Sequence, residues 1–269
     1  MTATDKLFTG SIPEIYDRML VPLIFERYAQ DLAVRIELTE PQDVLETAAG
    51  TGVLTAAIAS RLPAQSRIVA SDLNQPMLDR AATRRALEGR VTWRQVDALA
   101  LPFEDGSFDV VACQFGVMFF PDKVKGYKEA RRVLRRRGRF FFNAWDEIRN
   151  NEFADTVNEA VATFLPNDPP AFMARTPHGY HDVGKIREEL AAAGFQRISI
   201  ETVDHVCKAA SALEPAVAFC QGTPLRNEIE ARGASLEAAT DAAAKALRKR
   251  FGKGPIEGRI RAHVITASG

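Results

Sequence analysis

The chain has 269 residues, with 35 Lys plus Arg against 35 Asp plus Glu, so its formal net charge is zero and no general affinity for polyanions is expected. A hydrophobic content of 46% and a charged content of 26% exclude a disordered or fibrous chain, and no apolar run approaches the roughly 20 residues that span a bilayer. Three cysteines (113, 207 and 220) with no pairing rhythm fit a reducing, cytoplasmic setting, and residues 1–6 lack the basic-then-apolar pattern of a secretory signal.

Residues 11–38 read as helical, with Ile15, Met19, Leu23, Tyr28, Leu32 and Ile36 at helical spacing and Pro22 expected to kink the helix or start a new one. Pro41 ends that segment, and strands and helices then alternate. Strands are predicted over 44–47, 67–71, 91–96, 108–113 and 139–144, with helices over 54–61, 76–87 and 123–136 between them. Asn74 is placed to cap the second of these helices, Gly89 to close it, and Gly138 to end the third. A helical insertion broken by Pro166, Pro169, Pro170 and Pro177 follows over 151–192, with Asp182 as a helix N-cap. Strands over 195–206 and 260–267 flank a helical stretch over 211–251 that Ser235 should cap and Gly252 should stop. The alternation predicts an α/β fold: a doubly wound, Rossmann-like, mostly parallel seven-stranded sheet with helices on both faces. A single domain is expected, with a core at 41–145, 193–207 and 259–268. Its helical cap is expected at 1–40, 146–192 and 209–258.

The chemistry concentrates at Val44-Leu45-Glu46-Thr47-Ala48-Ala49-Gly50-Thr51-Gly52. Here an apolar run ends in an acid, and a loop of small residues opens a helix. Gly50 and Gly52 would let a ligand approach the backbone. Glu46, Asp72 and Asp97 each stand at or just past a strand end, where ligands bind in a doubly wound sheet. Asp72 follows Gly52 by about 20 positions, the reach of an acid that holds a ribose diol. A dinucleotide fingerprint needs a third small residue, but the pattern from Gly50 places Thr55 there. Glu46 has no task beside a pyrophosphate and would suit an ammonium group, which S-adenosylmethionine carries.

Four segments in this order, residues 44–52, 70–78, 97–111 and 132–140, make the chain resemble the class I S-adenosylmethionine-dependent methyltransferases. The subgroup it is similar to is the type 11 group, related to the ubiquinone/menaquinone C-methyltransferases. The resemblance implies that Glu46 with Ala48, Ala49, Gly50, Thr51 and Gly52 holds the methionine end of the cofactor. It implies that Asp72 binds the ribose, that Leu73 and Met77 pack on the adenine, and that Asp97 with Ala98 reads its amino edge. Gln114 would face the methionine part or the substrate. Members usually have Gly where this chain has Ala48, so the loop is expected to be narrowed by one methyl.

Substrate-pocket candidates are Phe115, Phe119 and Phe120 after the fourth strand, and Tyr180. Should the acceptor need to lose a proton, the candidate bases are His181, His178 and Tyr16. His178 and His181 form His-x-x-His without further ligands, so no metal is expected. The arginines at 131–139 read as cations at a helix C-terminus, and no nucleic-acid partner is expected. The expected activity is in-line methyl transfer from S-adenosylmethionine, leaving S-adenosylhomocysteine, onto carbon or oxygen of a small, partly apolar molecule. An NAD(P)-dependent oxidoreductase and a cofactor-binding protein without turnover are the alternatives.

Overall fold

The computed structural model describes Asp5 and residues 7–269, so the reading of residues 1–6 as lacking a secretory signal falls outside the described part of the chain. The helix expected over 11–38 is divided into α1 (Ile12–Ile15), a π-helical segment (Tyr16–Phe25) and α2 (Glu26–Glu37). Pro22 lies inside the π-helical segment. Proline has no N–H and its ring crowds the carbonyl four residues back, so an ordinary ladder cannot run through it. The wider π turn keeps the chain helical there.

There follow β1 (Asp43–Glu46), α3 (Val53–Arg61), β2 (Arg67–Asp72), α4 (Gln75–Ala82), β3 (Val91–Gln95), β4 (Phe108–Gln114), α5 (Lys123–Val133) and β5 (Leu134–Trp145). The insertion contains α6 (Glu152–Phe164), α7 (Phe172–Arg175) and α8 (Val183–Ala192). The chain then runs through β6 (Arg197–Ala209), α9 (Leu213–Gln221), α10 (Leu225–Ala231), α11 (Leu236–Phe251) and β7 (Ile256–Ser268).

The strands form one seven-stranded sheet in the order β3-β2-β1-β4-β5-β7-β6. The pairings β1–β2, β1–β4, β2–β3 and β4–β5 are parallel. β6 and β7 run antiparallel: Gln196 N–H meets the Ser268 carbonyl at 3.0 Å, while Thr202 Oγ1 lies 3.0 Å from His263 Nδ1. The order reverses between β1 and β4, which sets the ligand crevice of such folds at the carboxyl ends of those two strands.

Several boundaries differ from the sequence reading. α5 stops at Val133 and β5 begins at Leu134, so Arg135–Arg139 are strand residues and not the end of a helix. Leu134 pairs with Phe108, whereas the next pair is Arg139 with Val110, so β5 carries extra residues in a bulge. Arg135 anchors that bulge through Asp109 and Asp43, each at 2.7 Å. Gly138 sits inside it, where a Cβ would lie 2.9 Å from the Asp109 carbonyl oxygen. The helix expected over 76–87 ends at Ala82 and a short 3-10 turn, Arg85–Leu87, follows. The stretch 211–251 is three helices, because Gly222, Thr223 and Pro224 interrupt it and Gly233 turns it at φ +67°. Asp182 and Ser235 do cap their helices, through Gly184 N–H and Ala238 N–H.

The chain folds as two compact units. One comprises residues 26–144, 181–203 and 263–269, and the other residues up to Phe25, 145–180 and 204–262. In the first unit α2 packs on α3 and both cover the sheet through Leu32, Ile36, Leu54, Ile58, Val44, Val110, Ala112 and Phe141. Tyr127 of α5 stacks on Phe142 on the opposite face. Burying a side chain of this size contributes about 1.5–3 kcal/mol, which is why β1 and β4 read as nearly unbroken apolar runs. The second unit is mainly helical, with α6, α9 and α11 packed together. Its buried Asp5 is held by Arg175 at 2.6 Å and by Thr176 at 2.8 Å. α2 and α8 belong to the sheet unit. Among the described residues no helix is long and apolar enough to cross a membrane.

Candidate functional site

β1 delivers Glu46 to the carboxyl end of the sheet with its side chain 1% exposed. Thr55 of α3 holds it there, its hydroxyl donating to Glu46 Oε2 at 2.5 Å. Burial pushes the carboxyl up to about 8, the Thr55 hydrogen bond opposes the shift, and the nearby Asp72 charge adds to it. Thr55, which breaks the dinucleotide fingerprint, is the residue that holds this acid.

The loop after β1 is left-handed at three alternate positions: Ala48 at φ +52°, Gly50 at +56° and Gly52 at +81°. Gly52 has little choice, since a Cβ there would lie 3.0 Å from the Trp93 ring and 3.3 Å from Ala81. Ala48 adopts this conformation without being glycine, at a cost of order 1 kcal/mol. Its methyl occupies the space above Gly116, where a Cβ would sit 2.4 Å from Ala48 Cβ and 2.7 Å from Cys113 Sγ. The extra methyl at position 48 is thus matched by a missing one at position 116. Gly116 itself has ordinary backbone angles, so its smallness answers packing and not conformation.

The loop is held by the protein's own groups. Ala49 N–H donates to the Ser71 carbonyl at 2.9 Å, and Gly50 N–H donates to Asp72 Oδ2 at 2.9 Å. Asp72 Oδ1 accepts from Asn74 N–H at 2.8 Å. Asn74, expected to cap α4 with its side chain, makes no such cap and faces Asp72 instead. Asp72 is buried, and burial raises its carboxyl above the usual range while the Asn74 and Gly50 amides hold it down. It therefore ties the β1 loop to the β2 loop, a task the sequence had not signalled. The Thr51 hydroxyl in the same loop is buried without a hydrogen-bond partner.

The remaining candidates are less uniform. Met77 is buried, with its Cε 3.5 Å from where a Gly50 Cβ would be, whereas Leu73 is 45% exposed. Asp97 is exposed and caps its own turn by accepting from Leu99 N–H at 2.9 Å, with Ala98 partly buried beside it in sequence. Gln114 ends β4 at 8% exposure. Phe115 is a second non-glycine at φ +52°, its ring edge-on to Tyr28 at 5.4 Å. Phe120 lies under α5 against Gly126, and Phe119 is partly exposed.

The three candidate bases are divided between the two units. His181 belongs to the sheet unit and is partly buried. Tyr16, His178 and Tyr180 belong to the helical unit, where Tyr180 is buried. Within that unit ring contacts run from Phe8 to Tyr16, to Phe25, to Trp145 and to His178. His178 Nδ1 lies 2.9 Å from the Asp146 carbonyl oxygen. A carbonyl only accepts, so Nδ1–H is the donor of this bond. The cysteines offer no nucleophile, because burial pushes Cys113, Cys207 and Cys220 each up to about 12.

Sequence reasoning missed the Thr55–Glu46 bond, the Gly116 complement and Asn143. Asn143 is fully buried in β5 with neither amide atom hydrogen-bonded. Its signal was present as one amide among Phe140, Phe141, Phe142, Ala144 and Trp145.

Compared with known proteins, residues 44–138 match the family model described as "Methyltransferase domain". The chain is 31% identical over 186 residues to the ubiquinone/menaquinone biosynthesis C-methyltransferase UbiE of Methylococcus capsulatus, covering 65% of this chain and 74% of that protein. Among solved structures it is similar to the YcgJ protein of Bacillus subtilis, with a TM-score of 0.56 at 19% identity over 90% of this chain and 97% of that one. It is also similar to the [4+2]-cyclase SpnF, with a TM-score of 0.57 at 19% identity over 90% of this chain and 81% of that one. These two likenesses concern the fold, which hosts more than one chemistry.

Proposed function

The chain belongs to the class I S-adenosylmethionine-dependent methyltransferases, and we propose that it methylates a carbon of a small, apolar, hydroxylated ring of the quinol type. Glu46 carries the reading. It is a buried acid whose carboxyl is pushed up to about 8 by its burial, at the turn where a cofactor bearing an ammonium group would lie. The unpartnered Thr51 hydroxyl, the side-chain-free positions 50 and 52, and Asp72 on the next strand fit the same molecule. Glu46 and residues 48–52 would hold its methionine end, and Asp72 its ribose. Met77 and Leu73 would take the adenine, with Asp97 and Ala98 at the amino edge and Gln114 at the reacting end. An oxidoreductase reading has no use for Glu46 or for the hydroxyl at position 55.

The bound cofactor supplies a methyl group on a positively charged sulfur, whose in-line displacement depends mainly on alignment. Ring methylation forms a carbon–carbon bond, breaks the sulfur–methyl bond and sheds one proton from the ring. That proton passes to solvent or to one of the candidate bases His181, His178 and Tyr16. Within the helical unit, Tyr16, Phe25 and Trp145 form a run of rings of the kind that receives planar apolar molecules. The ubiquinone/menaquinone name of the relative supports the quinol class. Zero net charge and three buried free thiols support a small-molecule substrate, no nucleic-acid partner and a cytoplasmic setting.

The test is calorimetry with S-adenosylhomocysteine and with NADH, followed by transfer of labelled methyl to 1,4-naphthohydroquinone. Binding of S-adenosylhomocysteine with label in the ring is the expected result. NADH binding without S-adenosylhomocysteine binding overturns the family chemistry, and label absent from the ring overturns the acceptor class.

A further inference from the structure

Asn143 is a buried polar group for which the fold itself has no use. It is 0% exposed, and both its amide nitrogen and its amide oxygen lack hydrogen-bond partners. Buried polar groups are nearly always paired, and each orphan makes the folded state less stable. An asparagine at this place is therefore a poor choice for stability, and a leucine, with two methyl groups on the same branched skeleton, would serve the core better.

Its position suggests what the amide is for. Asn143 pairs in register with Gln114 on the parallel neighbour β4. Paired residues on parallel strands point to the same face, and that face alternates with period two. Ala112 and Phe141 form the pair below, so Gln114 and Asn143 share the face that carries Glu46, which itself pairs with Ala112. The two amides thus stand side by side at the carboxyl ends of β4 and β5, one pair beyond Glu46.

The strand order gives the direction. The three acids assigned to the cofactor lie on or after β1, β2 and β3, whereas Asn143 lies on β5, on the other side of β1. Neighbouring strands are about 4.8 Å apart, so Asn143 is about 10 Å across the sheet from Glu46 and away from Asp72. Strands β4 and β5 therefore lie beyond Glu46, past the end assigned to the methionine part of the cofactor. The groups beyond that point would meet the molecule being methylated.

We infer that the Asn143 amide, with Gln114 beside it, is a hydrogen-bonding site for an oxygen of the methyl acceptor, a ring hydroxyl or its conjugate oxygen, and orients the ring for transfer. The inference rests on the quinol-type reading above. Asn143 offers two donors and one acceptor oxygen, which match an oxygen in either protonation state. This is a positioning residue and takes no part in the bond changes.

The experiment compares the full-length protein with Asn143→Leu and Asn143→Asp. Asn143→Leu replaces the orphan amide by two methyl groups on the same branched skeleton, so its melting temperature should rise above that of the unaltered protein. Its affinity for S-adenosylhomocysteine by calorimetry should stay within about twofold, while kcat/KM for 1,4-naphthohydroquinone falls at least about tenfold, the cost of an unmet buried hydrogen bond. Asn143→Asp keeps the acceptor oxygens but loses the donors. It should shift the pH profile of turnover, because an acid now faces the acceptor oxygen. A lower melting temperature for Asn143→Leu would show that the amide is already satisfied within the fold and would overturn the inference. Unchanged turnover in Asn143→Leu, or weaker S-adenosylhomocysteine binding with the acceptor KM unmoved, would overturn it as well. If the unaltered protein binds S-adenosylhomocysteine but leaves the naphthohydroquinone unmethylated, the quinol reading falls and this role falls with it. That outcome is distinct from failure of the Asn143 variants alone.

Discussion

Glu46 makes a quantitative pH prediction. Its carboxyl titrates near 8 in the ligand-free protein because it is buried, with Asp72 nearby raising it further. Binding an α-ammonium requires the ionised form. The α-ammonium of a free amino acid, beside a carboxylate and not a peptide bond, loses its proton above the roughly 7.7–8.0 of a chain terminus, so Glu46 sets the pH dependence up to pH 8. Affinity for S-adenosylhomocysteine should tighten about tenfold from pH 6 to 7 and keep rising, less steeply, to pH 8. At pH 7 complex formation should release about one proton. Calorimetry in phosphate and in Tris reads this number directly, because the two buffers differ in ionisation enthalpy. Glu46→Gln should abolish the proton release and weaken binding. It should also stabilise the ligand-free protein. A carboxyl raised from an ordinary 4.5 to about 8 contributes stability that is present below 4.5 and lost as pH climbs toward 8. The melting-temperature advantage of the Gln variant should therefore widen from pH 5 to pH 8. Proton release near zero at pH 7, with affinity flat between pH 6 and 7, would refute the assignment of Glu46 as the ammonium partner.

Three further outcomes follow from neighbouring geometry. Thr55→Val removes the hydroxyl that holds the Glu46 carboxyl down, so the rise in affinity should move to higher pH in the same calorimetric series. Gly116→Ala forces a methyl into the space of Ala48 and Cys113 and should destabilise by about 1–3 kcal/mol. Chemical denaturation should show Ala48→Gly recovering part of that loss in the double variant, and strict additivity would sink the pairing. Asp72→Ala should lower S-adenosylhomocysteine affinity about tenfold or more. It should also speed hydrogen exchange at the Gly50 amide, because both the ribose partner and the loop anchor are lost.

The local signals in this chain carry far. Apolar runs ending in Glu46 and Asp72, glycines at 50 and 52, and helical spacing between them suffice to place a doubly wound sheet with a cofactor turn at its carboxyl edge. These features depend on neighbours a few residues away, through backbone sterics and hydrophobic period, so they are readable without the fold. Caps at Asp182 and Ser235 are legible for the same reason. The errors also have local causes. The arginine-rich end of α5 has helical propensity, but Leu134 pairs with Phe108 and Arg135 with Asp43 and Asp109, partners remote in sequence.

What only the tertiary structure decides lies in contacts made across strands. Thr55 meets Glu46 because α3 folds back over β1, and the residue that breaks the dinucleotide fingerprint is the one that holds the buried acid. Ala48 stands where a glycine is usual because Gly116, 68 positions later by number, leaves room for its methyl. Asn143 becomes conspicuous only once its burial and its unpaired amide are known. Sequence alone determines the order of the elements and the kind of cofactor that suits them, because both follow from short-range pattern. Volume and hydrogen-bond satisfaction are shared by residues that meet only in three dimensions, so the shape of the loop and the polarity beside it belong to the fold.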